Sequence, residues 1–513
     1  QVLKLLEKDA HDKASFLKPS PKWFTETQSA IHYKDNPDTS INDFNRQLLL
    51  LSQLSYQGPC MAKYDLNKDG LEDVIIGGSA GQATSIFMQQ KNGTFSAKDI
   101  PVFEQDKACQ DADINVFDAN KDGYPDIYIA SGGYNNLNES DTLLNDRLYL
   151  NDGKNNFTKS KGLPAVNGSK SCVRVQDING DGAPDIFVGG RVVPGRYPEA
   201  PKSFILMNDG KGNFIDQTQS ICPEISKIGM VTNAVWADLD LDQKNELIIA
   251  GEWMPLTVFS LQNGKLVNST NKYFDKNYSG WWNTIAVGDF NGDKHPDLII
   301  GNTGLNTQFK ASEKEPLEMY YKDFDKNGSV DPIFSFYIQG KKYPYLTRDE
   351  LVGQLPMMRK RFADFKSYAD ITMDDLFQNN ELKDAGHLAA NHMATTCFLS
   401  TQNGKFTIAQ LPVQVQYSPV YTIDTLDFNH DGNTDLLLCG NNSHSKIRLG
   451  KFDANYGTLL AGDGKGNFTY IPQSESGFNI RGDVRSCIQI NDKIYFGING
   501  RGLISYELLK QKK

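Results

Sequence analysis

Long apolar runs, CxxC pairs and extended basic stretches are all missing from this chain. No uncharged apolar stretch reaches the length of a membrane-spanning helix, so none is expected. The seven cysteines (Cys60, Cys109, Cys172, Cys222, Cys397, Cys439, Cys487) are odd in number and never spaced CxxC. That argues against a structural zinc site and excludes a disulfide-dense mini-scaffold. A formal charge of −10 without a basic cluster argues against general nucleic-acid binding, which needs grouped Lys and Arg. No nucleophile elbow, HExxH or unambiguous carboxylate pair marks an active site, so no enzyme is expected. The chain starts at Gln1 with neither an initiator Met nor a signal-peptide pattern, as a processed or trimmed product would.

What is present is a core and a repeat. The 513 residues are 39% hydrophobic and 11% aromatic, with 44 glycines, so wholesale disorder is excluded. That length suits several average domains or one large all-β domain. Asp65-Leu-Asn67-Lys-Asp69-Gly70-Leu-Glu-Asp73 recurs as Asp118-Ala-Asn120-Lys-Asp122-Gly123-Tyr124-Pro-Asp126 and as Asp177-Ile-Asn179-Gly-Asp181-Gly182-Ala183-Pro-Asp185. Further full copies are Asp289-Phe-Asn291-Gly-Asp293-Lys294-His295-Pro-Asp297 and Asp427-Phe-Asn429-His-Asp431-Gly432-Asn433-Thr-Asp435. Two copies are degenerate: Asp238-Leu-Asp240-Leu-Asp242-Gln243-Lys244-Asn-Glu246 and Asp323-Phe-Asp325-Lys-Asn327-Gly328-Ser329-Val-Asp331.

The first five acidic turns follow one another at intervals of roughly 50–60 residues, slightly above the period of common propeller blades. Most are followed by a short apolar strand ending in small residues, such as Val74-Ile-Ile-Gly-Gly78 or Leu298-Ile-Ile-Gly301. Continuous β-branched runs suit strands buried on both faces. Asn-Gly and Asp-Gly turns follow, as in Asn208-Asp-Gly-Lys-Gly-Asn-Phe214 and Asn263-Gly264, and supply the positive φ of tight hairpins. The unit reads as strand a, acidic loop, strand b, connection, strand c, Gly hairpin, strand d. The expected fold is all-β, a seven-bladed β-propeller over residues 26–513 after a lead segment 1–25. An N-terminal strand near residues 29–33 would close the last blade, and ring closure protects sheet edges. The Asp323 copy falls where the fifth blade would have its c–d hairpin. From Thr347-Arg-Asp-Glu350, a capping box, to about residue 393 a helical insertion is expected, with Thr372-Met-Asp-Asp375 as a second cap.

The acidic loops offer side-chain oxygens at positions 1, 3, 5 and 9, a turn at 6 and a backbone carbonyl at 7. Hard cations take six to eight oxygens, so calcium is the expected ligand, with about five to seven structural ions. The ligand sets are Asp65, Asn67, Asp69, Leu71, Asp73; Asp118, Asn120, Asp122, Tyr124, Asp126; and Asp177, Asn179, Asp181, Ala183, Asp185. They continue with Asp238, Asp240, Asp242, Glu246; Asp289, Asn291, Asp293, His295, Asp297; Asp323, Asp325, Asn327, Ser329, Asp331; and Asp427, Asn429, Asp431, Asn433, Asp435. Asx-turns alone would explain the residue types but not three like charges in nine residues. Gln243 and Lys244 make the Asp238 loop the weakest of the set. Seven divalent ions would more than cancel the formal charge of −10.

At the opposite end, the b–c loops concentrate Arg, Asn and aromatic residues: Tyr134, Arg191, Arg196, Tyr197, Trp253, Asn302, Asn306, Asn441 and Arg448. Such residues are enriched at binding hot spots, so this face is expected to recognise a protein, glycan or peptide. The competing reading is that long polar loops simply pack on one another. Arg481-Gly-Asp483 spells an adhesion tripeptide, but it also directly precedes an expected strand.

These repeats resemble the FG-GAP/VCBS propellers of integrin α-chains and cartilage acidic protein. Gly189-Gly-Arg-Val-Val-Pro-Gly-Arg-Tyr-Pro-Glu199, Gly251-Glu-Trp-Met-Pro255, Gly280-Trp-Trp-Asn283, Gly301-Asn-Thr-Gly-Leu-Asn306 and Asp453-Ala-Asn-Tyr-Gly457 are similar to bacterial surface proteins of the ASPIC/UnbV-associated type. The resemblance implies a calcium-stabilised, non-enzymatic binding or assembly module, exposed outside the cell or at the outer membrane of a didermal bacterium. It further implies lipid anchoring through a segment not in this chain and an accessory role beside an outer-membrane nutrient importer. Alternatives are a polysaccharide-active enzyme on a propeller scaffold and an integrin-like adhesin.

Overall fold

The computed structural model describes residues 22–378 and 380–510. Among them the chain forms eight antiparallel sheets, seven of four strands and one of five. The first runs Met61–Tyr64, Asp73–Ile76, Ser85–Gln89, Phe95–Lys98, each strand pairing with the next. The second strands are buried over most of their length, as their continuous apolar runs require: Val74, Ile75 and Ile76 are fully covered.

The innermost strands of seven sheets are Met61–Tyr64, Gln110–Phe117, Ser169–Gln176, Met230–Ala237, Thr284–Gly288, Val420–Leu426 and Val484–Ile490. Each packs against the next, and Val484–Ile490 packs against Met61–Tyr64. This cyclic succession makes the fold a β-propeller, with separate apolar cores between neighbouring sheets.

Four expectations need correction. The strand that completes the last sheet is Phe24–Thr27, paired with Ile504–Leu508, so the boundary expected at residue 25 falls within a strand. Ile31 and Tyr33, which suggested a strand at 29–33, are buried against the first and last sheets without joining either. Residues 1–21 of the expected lead segment lie outside the described residues.

The Asp323 turn does not close a c–d hairpin of the fifth ring sheet. That sheet consists of Thr284–Gly288, Asp297–Gly301, Thr396–Ser400 and Phe406–Ala409. Between its second and third strands the chain builds a separate sheet from Leu317–Lys322, Asp331–Ile338, Lys341–Pro344 and Gly386–Ala390. Asp323 begins the turn joining the first two of these. The same turn chemistry serves any antiparallel pair, so its period alone cannot say which sheet it belongs to. Helix Arg348–Gln354 begins at the Thr347–Glu350 capping box, and a shorter helix, Met373–Leu376, at Thr372–Asp375. Gly386–Ala390, inside the stretch expected to be helical, is instead an edge strand of the inserted sheet, against Leu317–Lys322.

A strap, residues 41–57, crosses the b–c loop end of the ring. Asp43 closes it on itself, accepting from Leu54 N at 2.6 Å, Ser55 N at 2.8 Å and Ser55 Oγ at 2.7 Å. Gln47 pins it: Nε2 donates to Tyr197 O and Val330 O, both at 3.1 Å, while Oε1 accepts from Tyr197 N and the Tyr134 hydroxyl. Further along, Gln53 N donates to His444 O and Lys446 N to Leu51 O.

Candidate metal centres and the loop face

All seven acidic turns share one hydrogen-bond plan. The position-1 carboxylate accepts from the position-6 N–H at 2.7–3.0 Å in every copy. The position-5 side-chain oxygen accepts from the position-7 N–H at 2.7–2.9 Å. The position-9 carboxylate accepts from the position-2 N–H at 2.8–3.1 Å. In the five full copies its second oxygen accepts from the third strand, at Gln89, Asn151, Asn208, Ser400 or Gly462 N. Asp331 instead receives Gln354 Nε2 at 2.6 Å from the neighbouring helix. In the five full copies position 9 thus staples the turn to its own sheet.

This arrangement concentrates negative charge. The position-9 residues are buried. Burial, reinforced by the carboxylates at positions 1 and 5, pushes Asp73, Asp126, Asp185 and Asp435 up to about 6, even though backbone donors pull the other way. Asp331 reaches about 6 from burial and from Asp325 and Asp323. Carboxylate oxygens of Asp238, Asp240 and Glu246, and of Asp323, Asp325 and Asp331, lie within 4.8 Å of one another. Asp240 Oδ1 is buried without a protein hydrogen-bond partner. An all-oxygen donor set with an orphaned carboxylate oxygen fits a hard cation such as calcium. The Asp238 turn differs in one respect that sequence reasoning missed. Lys272, from outside the turn, pairs with Asp240 Oδ2 and supplies a positive charge of its own.

Backbone geometry adds a second requirement. Position 6 has positive φ in all seven turns, but so does position 4, occupied by Lys68, Lys121, Leu241, Lys326, His430 and two glycines. At position 6 the non-glycine exceptions are Gln243 at φ 71° and Lys294 at φ 69°. Two position-4 lysines reach the next turn: Lys68 Nζ donates to Gly123 O, and Lys121 Nζ to Asp181 O at 3.3 Å.

At the other end, the residues expected to form a recognition face are mostly committed to packing. Tyr134, Tyr197, Trp253, Asn302 and Asn441 are buried. Asn302 Nδ2 donates to His392 O, and Asn441 Nδ2 donates to Asn455 O and Gly482 O. Asn306 Nδ2 donates to Tyr417 O. Arg448 stacks on Tyr345, its guanidinium 4.0 Å from the ring centroid, and pairs with Glu350 at 3.2 Å. Arg196 forms a two-pronged pair with Glu199, both contacts at 2.6 Å, and is more exposed than Arg191 or Arg448.

Three of the nine converge on a residue the sequence reading left out. Glu252 accepts from Arg191 Nη2 at 2.5 Å and from the Tyr197 hydroxyl at 2.6 Å, while Trp253 Nε1 donates to that hydroxyl at 2.8 Å. Arg191, Tyr197 and Glu252 line a central cavity of about 260 Å³, together with polar residues of the innermost strands and Leu50 and Leu54 of the strap. Polar residues on innermost strands, such as Asp113 and Arg174, were the available signal for this cavity.

Comparison with known proteins bears on these turns. A model described as "FG-GAP-like repeat" matches residues 65–129, 118–188 and 238–300. These segments are similar to FG-GAP repeats. Human integrin alpha-6 is 28% identical over 143 residues, which make up 25% of this chain and 12% of that protein. The chain therefore spans only a small part of that relative's length. Solved structures with similar folds include BBS1N in complex with ARL6DN, at 10% identity and TM-score 0.42, covering 96% of this chain and 99% of that one. The V. cholerae biofilm matrix protein Bap1 matches at 12% identity and TM-score 0.36, over 95% and 91% of the two chains. The Dos1 propeller matches at 9% identity and TM-score 0.38, over 90% and 94%. The matched segments contain the turns that begin at Asp65, Asp118, Asp177, Asp238 and Asp289.

Proposed function

We propose that this FG-GAP propeller is a calcium-stabilised, non-enzymatic binding or assembly module of a cell surface, its ring made of seven blades with the eighth sheet inserted into the fifth. The cyclic packing of seven innermost strands supports the blade count. The observation that carries the calcium reading is the repeated burial of a position-9 carboxylate among further carboxylates. A divalent ion supplies the positive charge that such a cluster lacks. Positions 1, 3, 5 and 9 would hold it through side chains and position 7 through its carbonyl, in five to seven turns. Binding to the folded form alone stabilises that form. Millimolar extracellular calcium suits weak sites of this kind and favours an exterior location, including the outer membrane of a didermal bacterium.

The partner would be a surface protein, a glycan or a peptide, in keeping with an accessory of a nutrient importer. Adhesion through Arg481-Gly-Asp483 has little support: Asp483 is buried and accepts from Ser443 N, Ser443 Oγ and His444 Nδ1. The reading is tested by incubating the calcium-loaded chain with a panel of polysaccharides and surface proteins, measuring both retention and bond cleavage. Retention without new reducing ends or peptide termini supports a module. Release of either would replace it with an enzyme.

A further inference from the structure

We propose that the central cavity is a binding site for a small carboxylate-bearing molecule about the size of a monosaccharide. This deepens the binding-module reading and rests on it.

Room is the first argument. A buried water needs ~10–15 Å³ of such space, so a cavity of about 260 Å³ exceeds the needs of a few isolated waters. The second is an excess of donors. Arg191, Trp281 and Asn283 line this cavity, and Arg191 Nη1, Trp281 Nε1 and Asn283 Nδ2 are each buried without a protein acceptor. They are neighbours by construction. Arg191 is tied through Nη2 to Glu252, and Glu252 is the register partner of Trp281 across the pair Glu246–Pro255 and Ser279–Trp281. Asn283 follows two residues on. None of these three nitrogens can accept a hydrogen bond, so only acceptor atoms satisfy them.

The cavity's carboxylates are already engaged. Glu252 accepts from Arg191 and Tyr197, and Asp113 from Arg174 Nη1 at 2.5 Å and Val173 N at 3.0 Å. A ligand that brings its own donors meets few free acceptors, whereas a carboxylate brings acceptors only and draws a charge-assisted bond from Arg191. The donors are also held in place. Trp281 packs edge-on against Trp253 with centroids 5.1 Å apart and against Phe309 at 6.1 Å. Leu50, Leu54 and Phe309 contribute apolar wall, which strengthens polar contacts inside.

The test is calorimetry and thermal melting of the full, calcium-loaded chain with D-glucuronate, D-galacturonate, citrate and glutarate, and D-glucose as the neutral control. At least one acid is expected to bind saturably and raise the melting temperature, with glucose inert. Trp281→Phe keeps an aromatic ring but removes the indole N–H, and Arg191→Gln removes the charge; each should weaken the acid by about tenfold or more, the scale of one charge-assisted hydrogen bond. Should Arg191→Gln fail to fold, Asn283→Leu takes its place. If no acid binds at millimolar concentration and a crystal soaked with the panel holds only ordered water against these donors, the proposal is wrong. Binding that survives both variants overturns it too. Chelator sensitivity is measured separately, so loss of the calcium reading and loss of this site are distinguishable.

Discussion

Thr27 and Ser505, 478 positions apart in the chain, face each other across the pairing that completes the last sheet, their hydroxyl oxygens 2.9 Å apart. One strand from the beginning of the described chain thereby finishes the sheet built by its end. Phe24 on that strand is 1% exposed and stacks on Phe478 with ring centroids 4.5 Å apart. Phe24→Ala should cost about 3–5 kcal/mol, the usual loss for a large buried aromatic. Urea unfolding checks it; a midpoint unchanged from wild type would mean that the closing strand adds nothing.

Gln47 satisfies four partners at once from a buried position. Gln47→Leu leaves the Tyr197 and Val330 carbonyls, the Tyr197 N–H and the Tyr134 hydroxyl without it, at about 1–3 kcal/mol for each group left unpaired. The strap should then exchange its amide protons faster than the ring does, as hydrogen-exchange mass spectrometry over residues 41–57 would show. Equal protection in both proteins would mean the strap is held elsewhere.

Lys294 sits at φ 69°, where the other full acidic turns have glycine. The left-handed region costs a non-glycine residue roughly 1–2 kcal/mol. Lys294→Gly should therefore stabilise the protein by about 1 kcal/mol, after the added chain entropy of glycine is subtracted. A thermal melt reads the gain, and a loss would show that the lysine side chain makes up for its backbone.

Much of this architecture was legible because its chemistry is local. The Asp65-type turns announce themselves through residue type, and Val74-Ile-Ile announces a strand covered on both faces. Thr347 and Glu350 likewise spell out their own cap. What was not legible depends on distant partners. Phe24–Thr27 gives no sign of pairing with Ile504–Leu508, and Ile31 mimics a strand because it is buried. Lys272 enters the Asp238 turn from outside it. Tyr134, Trp253 and Asn441 look like recognition residues by type, yet the strap and neighbouring loops consume them. Glu252 escaped notice because its role exists only once Arg191 and Tyr197 are beside it.

His392 hydrogen-bonds Thr396 Oγ1 at 2.7 Å and stacks on Trp282. Burial, with a smaller contribution from Lys276, lowers its pKa from 6.5 to about 4. The native state thus holds it neutral, so its contribution is complete above pH 6.5 and is lost as pH falls through about 4. Stability should fall across that window with a slope of at most about 1.4 kcal/mol per pH unit from this group. Comparing His392→Gln with wild type by denaturant unfolding at several pH values isolates it. Parallel curves would show that the imidazole does not titrate in this way.

The most direct test of the account strips the acidic turns of metal. The full chain, treated with a chelator and dialysed, should melt at a clearly lower temperature than the same protein in millimolar calcium. Metal analysis of the calcium-loaded protein should find about five to seven ions per chain, in line with hard-cation sites in most of the seven turns. Identical melting curves with and without chelator, together with no bound calcium, would contradict the claim that these turns are metal centres.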